Sequence, residues 1–534
     1  MAVTPDTNLR LLKCDLNIDK SNQINFSSKT TQYNYFNGLT KLTGSNYSYQ
    51  RKDSVIRYPA HIDSIIEYNY VMYQNNNYSS KWFYAYITKM EYINDNMTAI
   101  YIKTDVFQTW QFDLTYKKSF VEREHVNDDT IGKNTVPEKL ETGEYIINDT
   151  DYMMYDTNYA IIIVLSSARD TGLYTTQNSH FGHVFNGCKY YGFGAALTQF
   201  DEANKFVRVL DNAGKTDNIV SIFMCPDTLY QKINKNSHTD TIDNITVTYD
   251  VLSGSSGLQI ENQKYVTMQT TLNGYTPKNN KVKCFPYNYL ELDNNNGGTA
   301  IYHYEKFVNN TPSFQTSGTL TIGCSIMCVP LNYNLKTDDH ILISGMLYSW
   351  SDGIPAGKYP VGSWSSDSYT NWLTQNGTNV ALKVGGGIAA AIGGALTLNP
   401  VVAAGGVAAI FSTAAEVYQH SLTPDQASGN LNSGDITYAK QQTMFAFKKK
   451  SIKYEYAKII DDFFSMFGYK VNAVKEPNIT GRSNWNYVKM IDPNIEGYIP
   501  QEDLQEIKQM FSDGVTIWHT TSHFLDYSQT NSII

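Results

Sequence analysis

From Val384 to Ala415 the chain runs for 32 residues without a charge, bounded by Lys383 and Glu416. The run reads VGGGIAAAIGGALTLNPVVAAGGVAAIFSTAA. A helix needs about 20 apolar residues to cross the ~30 Å hydrocarbon core of a bilayer, so the segment is long enough to enter lipid. It is composed wrongly for a permanent span. Pro400, preceded by Asn399, splits it into two arms of about 15 residues, each reaching only about 22 Å as a helix. Glycines at 385–387, 393–394 and 405–406 each lower helix stability by roughly 1 kcal/mol relative to alanine. The pattern fits a segment that changes state, hidden at first and inserted into lipid later. The residues that carry this reading are Val384, Gly385, Gly387, Ile388, Ile392, Leu396, Leu398, Pro400, Val402, Gly405, Val407, Ile410 and Phe411. Three other readings compete with it: a buried helical hairpin, a constitutive membrane anchor and a Gly/Ala linker. The linker is opposed by the large apolar side chains, which are too sticky to leave in water.

The surrounding chain is the opposite in character. Of its 534 residues, 41 are Tyr and only 17 % are charged, against about 25 % in ordinary domains. Tyr, Asn and Thr in place of Lys, Glu and Ala favour strands and loops, so the chain is expected to be mainly β. A formal net charge of −9 argues against a nucleic-acid binder, whose surface should be basic. It does not argue against a conduit, because an acidic wall keeps a polyanion from sticking. The N-terminal stretch MAVTPDTNLRLLKCDLNIDK has no apolar core of a secretory signal, so folding in a cytoplasm is expected. Six cysteines without zinc-site spacing are expected to be free buried thiols.

Local patterns place the elements. Residues 82–93 and 97–107 alternate around Asn94-Asp95-Asn96 and predict a hairpin. Tyr159–Leu165 predicts a strand buried on both faces, 245–251 and 265–272 predict a strand pair, and 288–310 a hairpin turning at Asn294–Gly298. A strand is expected within 319–330, and 349–372 reads as loop. Helices are expected from Tyr454 to Phe467, stopped by Gly468, and from Glu502 to Ser512, stopped by Gly514, with Leu504, Ile507, Met510 and Phe511 on one face. A last strand follows at 515–519. The implied divisions are 1–126, 127–370, an excursion over 371–442, and 443–534.

Catalytic motifs are absent. There is no G-x-S-x-G, H-E-x-x-H or Walker pattern, and the Gly192 and Gly385 clusters lack the last glycine of G-x-G-x-x-G. His180 and His183 have no third metal ligand nearby in sequence. Neither a catalytic residue, a metal nor a cofactor is expected. Lys448-Lys449-Lys450 reads as a solvated face or, more sharply, as a lipid-headgroup contact beside the apolar run.

Five segments then converge: KWFYAYITKMEY (81–92), DVFQTWQFDLTYKKSFVEREHV (105–126), FFSMFGYKVNAVKEPN (463–478), NWNYVKM (484–490) and EDLQEIKQMFSDGVTIWH (502–519). Together with the placement of an apolar excursion between them, they resemble the tail knob proteins of small short-tailed phages of Bacillus and other Gram-positive hosts. The resemblance lies in the two ends and is weak across 127–370. It implies a homohexameric distal tail tube with a β-barrel-like wall, joined to the proximal tail and collar proteins of the virion. DNA would pass through the lumen without sequence-specific binding. One hydrophobic loop per subunit, here 371–442 with its centre at 384–415, would plug the tube and then penetrate the lipids of the host membrane. A receptor-binding protein for cell-wall carbohydrate is the alternative, since Tyr, Trp and Asn suit sugars, but it leaves the apolar run unexplained.

Overall fold

The computed structural model describes residues 6–47, 49–50, 54–75, 81–155, 158–165, 189–194, 197–215, 218–252, 259–318, 325–334, 340–343, 346–358, 361–362, 364–365, 427–428 and 444–534. The chain is mainly β, with a few helices. It forms two compact units: Met1–Thr142 with Tyr275–Lys283 and Tyr454–Ile534, and Gly143–Gly274 with Cys284–Lys453. These divisions differ from those read in the sequence. Residues 127–142 go with the terminal unit because Glu138 is buried there against Arg123 and Lys281. Residues 444–452 go with the other unit because they form a strand between Tyr145–Met154 and Asn288–Asp293.

The terminal unit is built on two large sheets, with a two-stranded ladder of Leu114–Tyr116 and Ile495–Gly497 beside them in the topology. Seven antiparallel strands run in the order Lys41–Tyr47, Thr7–Leu12, Tyr70–Asn75, Phe83–Asn94, Met97–Thr104, Val55–Tyr58, Tyr49–Gln50. Its middle is covered on both faces, so Tyr70, Val71, Met72 and Tyr73 are all buried in succession. Val71 faces Leu9, Leu11 and Ile100, and Met72 faces Ile24, Phe36, Trp485 and Trp518. The predicted hairpin is present, closing at Asn94 opposite Met97. Its second strand ends at Thr104 rather than Phe107, because Asp105 caps a short helix, Val106–Trp110, by accepting the Gln108 N–H at 3.1 Å.

The second sheet interleaves the two ends of the chain: Asn22–Ile24, Val515–Trp518, Trp485–Ile491, Ser119–Glu124, Tyr469–Lys475. Only the first pair is parallel. Helix Tyr454–Phe467 ends at Gly468, which has φ 63° and where a β-carbon would meet the Glu124 backbone. Helix Gln501–Asp513 ends at Gly514 with φ 98°, and Leu504, Ile507, Met510 and Phe511 are its buried face.

In the other unit a six-stranded sheet runs Lys235–Ile242, Ile245–Leu252, Lys189–Phe193, Tyr159–Leu165, Ile219–Pro226, Val361–Gly362. Tyr159–Leu165 is buried at every residue. Ile161 and Ile163 pack with Phe206 and Leu210 of helix Leu197–Asn212, while Ile162 and Val164 face a second core with Tyr190 and Phe223. The expected pairing of 245–251 with 265–272 is not formed. Ile245–Leu252 pairs instead with Lys235–Ile242 and Lys189–Phe193, and the strand reaching Tyr265 pairs with Ser313–Gly318. The Asn288 hairpin pairs Asn288–Asp293 with Thr299–Tyr302 and joins Met444–Ile452. Ser325–Leu331 supplies the strand expected near 319–330. The stretch read as loop carries short strands, Ile354–Lys358, Val361–Gly362 and Trp364–Ser365.

Candidate functional site

All the residues from Val384 to Phe411 singled out above lie outside the described residues, as do His180 and His183. What the structure does give is the base of that excursion. Trp364 pairs with Ser428 and Ser365 with Ala427 in a two-stranded antiparallel ladder, so the chain entering at 365 and the chain returning at 427 lie side by side. Upstream, Val361–Gly362 adds to the edge of the six-stranded sheet beside Ile222 and Phe223. Downstream, Met444–Ile452 runs through the centre of a four-stranded sheet, with Phe445 and Phe447 fully buried. Both flanks of the excursion are thus tied into β structure. No local pattern announced the two-residue ladder, because its partners are more than 60 residues apart in sequence.

The triple lysine is not a bare basic face. It lies on the Met444–Ile452 strand, and each ammonium meets acids from a neighbouring strand. Lys448 pairs with Asp293, Lys449 with Asp149 (2.9 Å) and Asp151 (3.0 Å), and Lys450 with Glu291 (2.6 Å). Cross-strand pairs of opposite sign stabilise register, and here they lock the strand that leads out of the excursion.

The terminal unit holds its non-contiguous segments together through buried polar groups. Asp461 of helix Tyr454–Phe467 is fully buried and accepts from the Tyr275 hydroxyl (2.8 Å), the Lys278 N–H (2.8 Å), the Asn279 N–H (3.0 Å) and the Asn279 side-chain amide (2.9 Å). Glu138 receives Lys281 at 2.7 Å, Arg123, and the Lys470 N–H at 2.8 Å. Burial pushes its carboxyl upward, but these donors outweigh that and hold it below the usual range. Asp105 accepts from Tyr70 at 2.9 Å, and its burial raises its pKa. Trp110 donates to Asp503 at 2.8 Å, tying the short helix to the C-terminal one.

None of this is arranged for turnover. His125 accepts the Tyr487 N–H at Nδ1 (2.7 Å) and reaches the Ser465 carbonyl through Nε2 (3.1 Å), so neither ring nitrogen is available to a substrate. Burial lowers its pKa to about 3. Cys14, Cys225, Cys284 and Cys328 are buried and outside any disulfide, and burial pushes Cys14 up to about 12. Cys188 and Cys324 lie outside the described residues. Among the described residues no group of acidic, His or Cys side chains is placed to hold a metal ion. No helix among them is long and apolar enough to cross a membrane.

Comparison with known proteins places these features. Residues 254–532 match the family model of the C-terminal domain of the tail knob protein gp9 of Bacillus phage phi29. Residues 6–116, which contain the seven-stranded sheet, match the N-terminus of the caudoviral major tail protein. Over the full chain the sequence is similar to tail knob protein gp9 of Bacillus phage PZA, at 27 % identity over 97 % of this chain and 98 % of the relative. It is 26 % identical to gp9 of Bacillus phage phi29 over 100 % of both. The fold is similar to the solved tail knob protein gp12 of bacteriophage C1, with a TM-score of 0.63, 14 % identity, and 99 % and 100 % of the two chains covered.

Proposed function

The chain belongs to the family of phage tail knob proteins typified by gp9 of Bacillus phage phi29, and from that premise we propose that six copies form the distal tail tube, conduct DNA and breach the host membrane. Membership makes the chain a structural component of the virion tail, not an enzyme. The finer reading is supported most by one observation: a 32-residue uncharged run inside an otherwise acidic, polar chain. Such a run left in water would aggregate. Packed against its copies inside a tube, it is hidden, at about 25 cal/mol per Å² of apolar surface buried. Released into lipid, it buries the same surface again, so the two states can lie close in energy. The many Gly and Ala residues allow close contact between inserted segments.

The flanking β structure supports the same account. The excursion leaves and returns through a ladder at 364–365 and 427–428, so the apolar centre can relocate without unravelling the strands that carry it. Six copies at −9 each give the ring a strongly negative net charge, which suits a lumen that a polyanion slides through. Assembly takes place in the host cytoplasm, with action at the host membrane. Electron microscopy and mass measurement of the purified protein test the assembly. The expected particle is a six-fold ring of six times the 60.4 kDa chain mass. A stable monomer or trimer at micromolar concentration contradicts it.

A further inference from the structure

The terminal unit contains a cleft of ≈ 530 Å³ lined mostly by polar and charged residues. Its size lies in the range of small-molecule sites. One wall is the C-terminal segment. That segment is pinned by Asn531, whose side-chain oxygen accepts the N–H groups of Asn484 (3.0 Å) and Trp485 (3.1 Å), and by the Ser483 N–H donating to the Ser532 carbonyl (2.9 Å). The cleft is also lined by Arg482, Lys278, Asp129 and Asn280.

Arg482 is the unusual member. It is 7 % exposed, yet its guanidinium makes no salt bridge among the described residues. Nε and Nη2 both donate to the Val126 carbonyl (3.1 and 2.7 Å), and Nη1 donates to the Asn531 carbonyl (3.2 Å). A guanidinium has five N–H groups, so two are left without an acceptor among the described residues. A buried cation held only by neutral carbonyls is costly unless an anion completes it. Asp129 lies beyond salt-bridge distance of it, and its two oxygens are already engaged by the Tyr469 hydroxyl (2.7 Å) and the Asn280 N–H (3.0 Å). Lys278 lies exposed at the cleft, and its ammonium, which makes no salt bridge among the described residues, brings a second positive charge. Hydroxyl and amide groups of Ser528, Gln529 and Thr530 complete a surface suited to a hydroxyl-bearing body.

We propose that this cleft binds a phosphate group carried on a small sugar or polyol, the phosphate meeting Arg482 and Lys278 and the hydroxyls meeting the C-terminal wall. Two free guanidinium N–H groups and an ammonium offer five donors, which a phosphate with three terminal oxygens fills better than a carboxylate does. The proposal does not depend on ring formation or on the apolar run. Calorimetric titration of the full chain with glucose 1-phosphate, inorganic phosphate and glucose, at matched ionic strength, tests it. Glucose 1-phosphate should bind, at least several-fold tighter than inorganic phosphate, and glucose should not. Lys278→Gln, a surface change that leaves the fold intact, should weaken glucose 1-phosphate binding about tenfold, the effect of losing one charge-assisted contact. Asp129→Asn, which removes the opposing charge, should strengthen it. Absence of binding, equal binding of inorganic phosphate and glucose 1-phosphate, or an unchanged affinity in Lys278→Gln would overturn the proposal.

Discussion

One buried and one half-buried histidine, His125 and His519, give the terminal unit a defined response to acid. Burial lowers His125 to about 3 and His519 to about 4, while either would titrate near 6.5 in the unfolded chain. The folded state therefore excludes protons that the unfolded state takes up. The penalty is absent above about pH 6.5 and grows as pH falls, by up to ~1.4 kcal/mol per pH unit for each histidine, until the folded pKa is reached. Asp105 and Asp129, raised by burial, act in the opposite sense, so the histidine effect is isolated by comparison. His519 donates from Nε2 to the Asn486 amide oxygen at 3.0 Å, a contact glutamine can replace. The melting temperature of His519→Gln should fall less than that of the parent between pH 6.5 and 4.5, and equal slopes would show that His519 is not held neutral. Glycine gives a second test at this scale. Gly468 has φ 63°, and a β-carbon there would lie 2.2 Å from the Glu124 carbonyl oxygen. Gly214 also has φ 63°, with nothing within 4 Å. Gly214→Ala should cost about 1 kcal/mol of backbone strain. Gly468→Ala should cost several times that in denaturant unfolding, because the strand Ser119–Glu124 must shift as well.

Elements with a strong internal period are legible in the sequence alone. The two C-terminal helices end where Gly468 and Gly514 follow, because the apolar period of 3.6 and a glycine able to adopt positive φ both sit in the local sequence. The Phe83–Thr104 hairpin and the wholly buried Tyr159–Leu165 strand are legible for the same reason. Pairing at a distance is not. Residues 245–251 and 265–272 both alternate, but alternation names a face and not a neighbour: the first joins Lys235–Ile242 and Lys189–Phe193, and the second leaves strand structure after Tyr265. The Tyr275–Lys283 segment is illegible because it is short and polar, and its place in the terminal unit is set by Asp461, more than 180 residues away. Asp461→Ala should therefore release that segment. Several buried donors would lose their acceptor at about 1–3 kcal/mol each, and limited proteolysis should find new cleavage within 275–283. Unchanged proteolysis would show that apolar packing of Val282 is sufficient to hold it.

At the scale of the whole molecule, a unit assembled from both chain ends encloses the sequence of another that carries the apolar excursion. The two-stranded ladder at 364–365 and 427–428 closes the excursion at its base. Deleting Val384–Ala415 should leave assembly intact, since the remaining polar flanks can close a loop whose entropic cost grows only slowly with length. Mass measurement checks this, and a deletion variant that fails to assemble would make the run part of the folding core. The most direct test of the account is leakage of dye from lipid vesicles by the parent, the deletion variant and Ile392→Asp, with DNA delivery by the corresponding phage alongside. A charge at the bilayer centre costs at least ~2.5 kcal/mol per chain, and six copies multiply it. The parent should release dye, and both variants should release none and deliver no DNA while still adsorbing to cells. Undiminished leakage and delivery by the deletion variant would contradict the membrane role and leave the run a stopper or a core element.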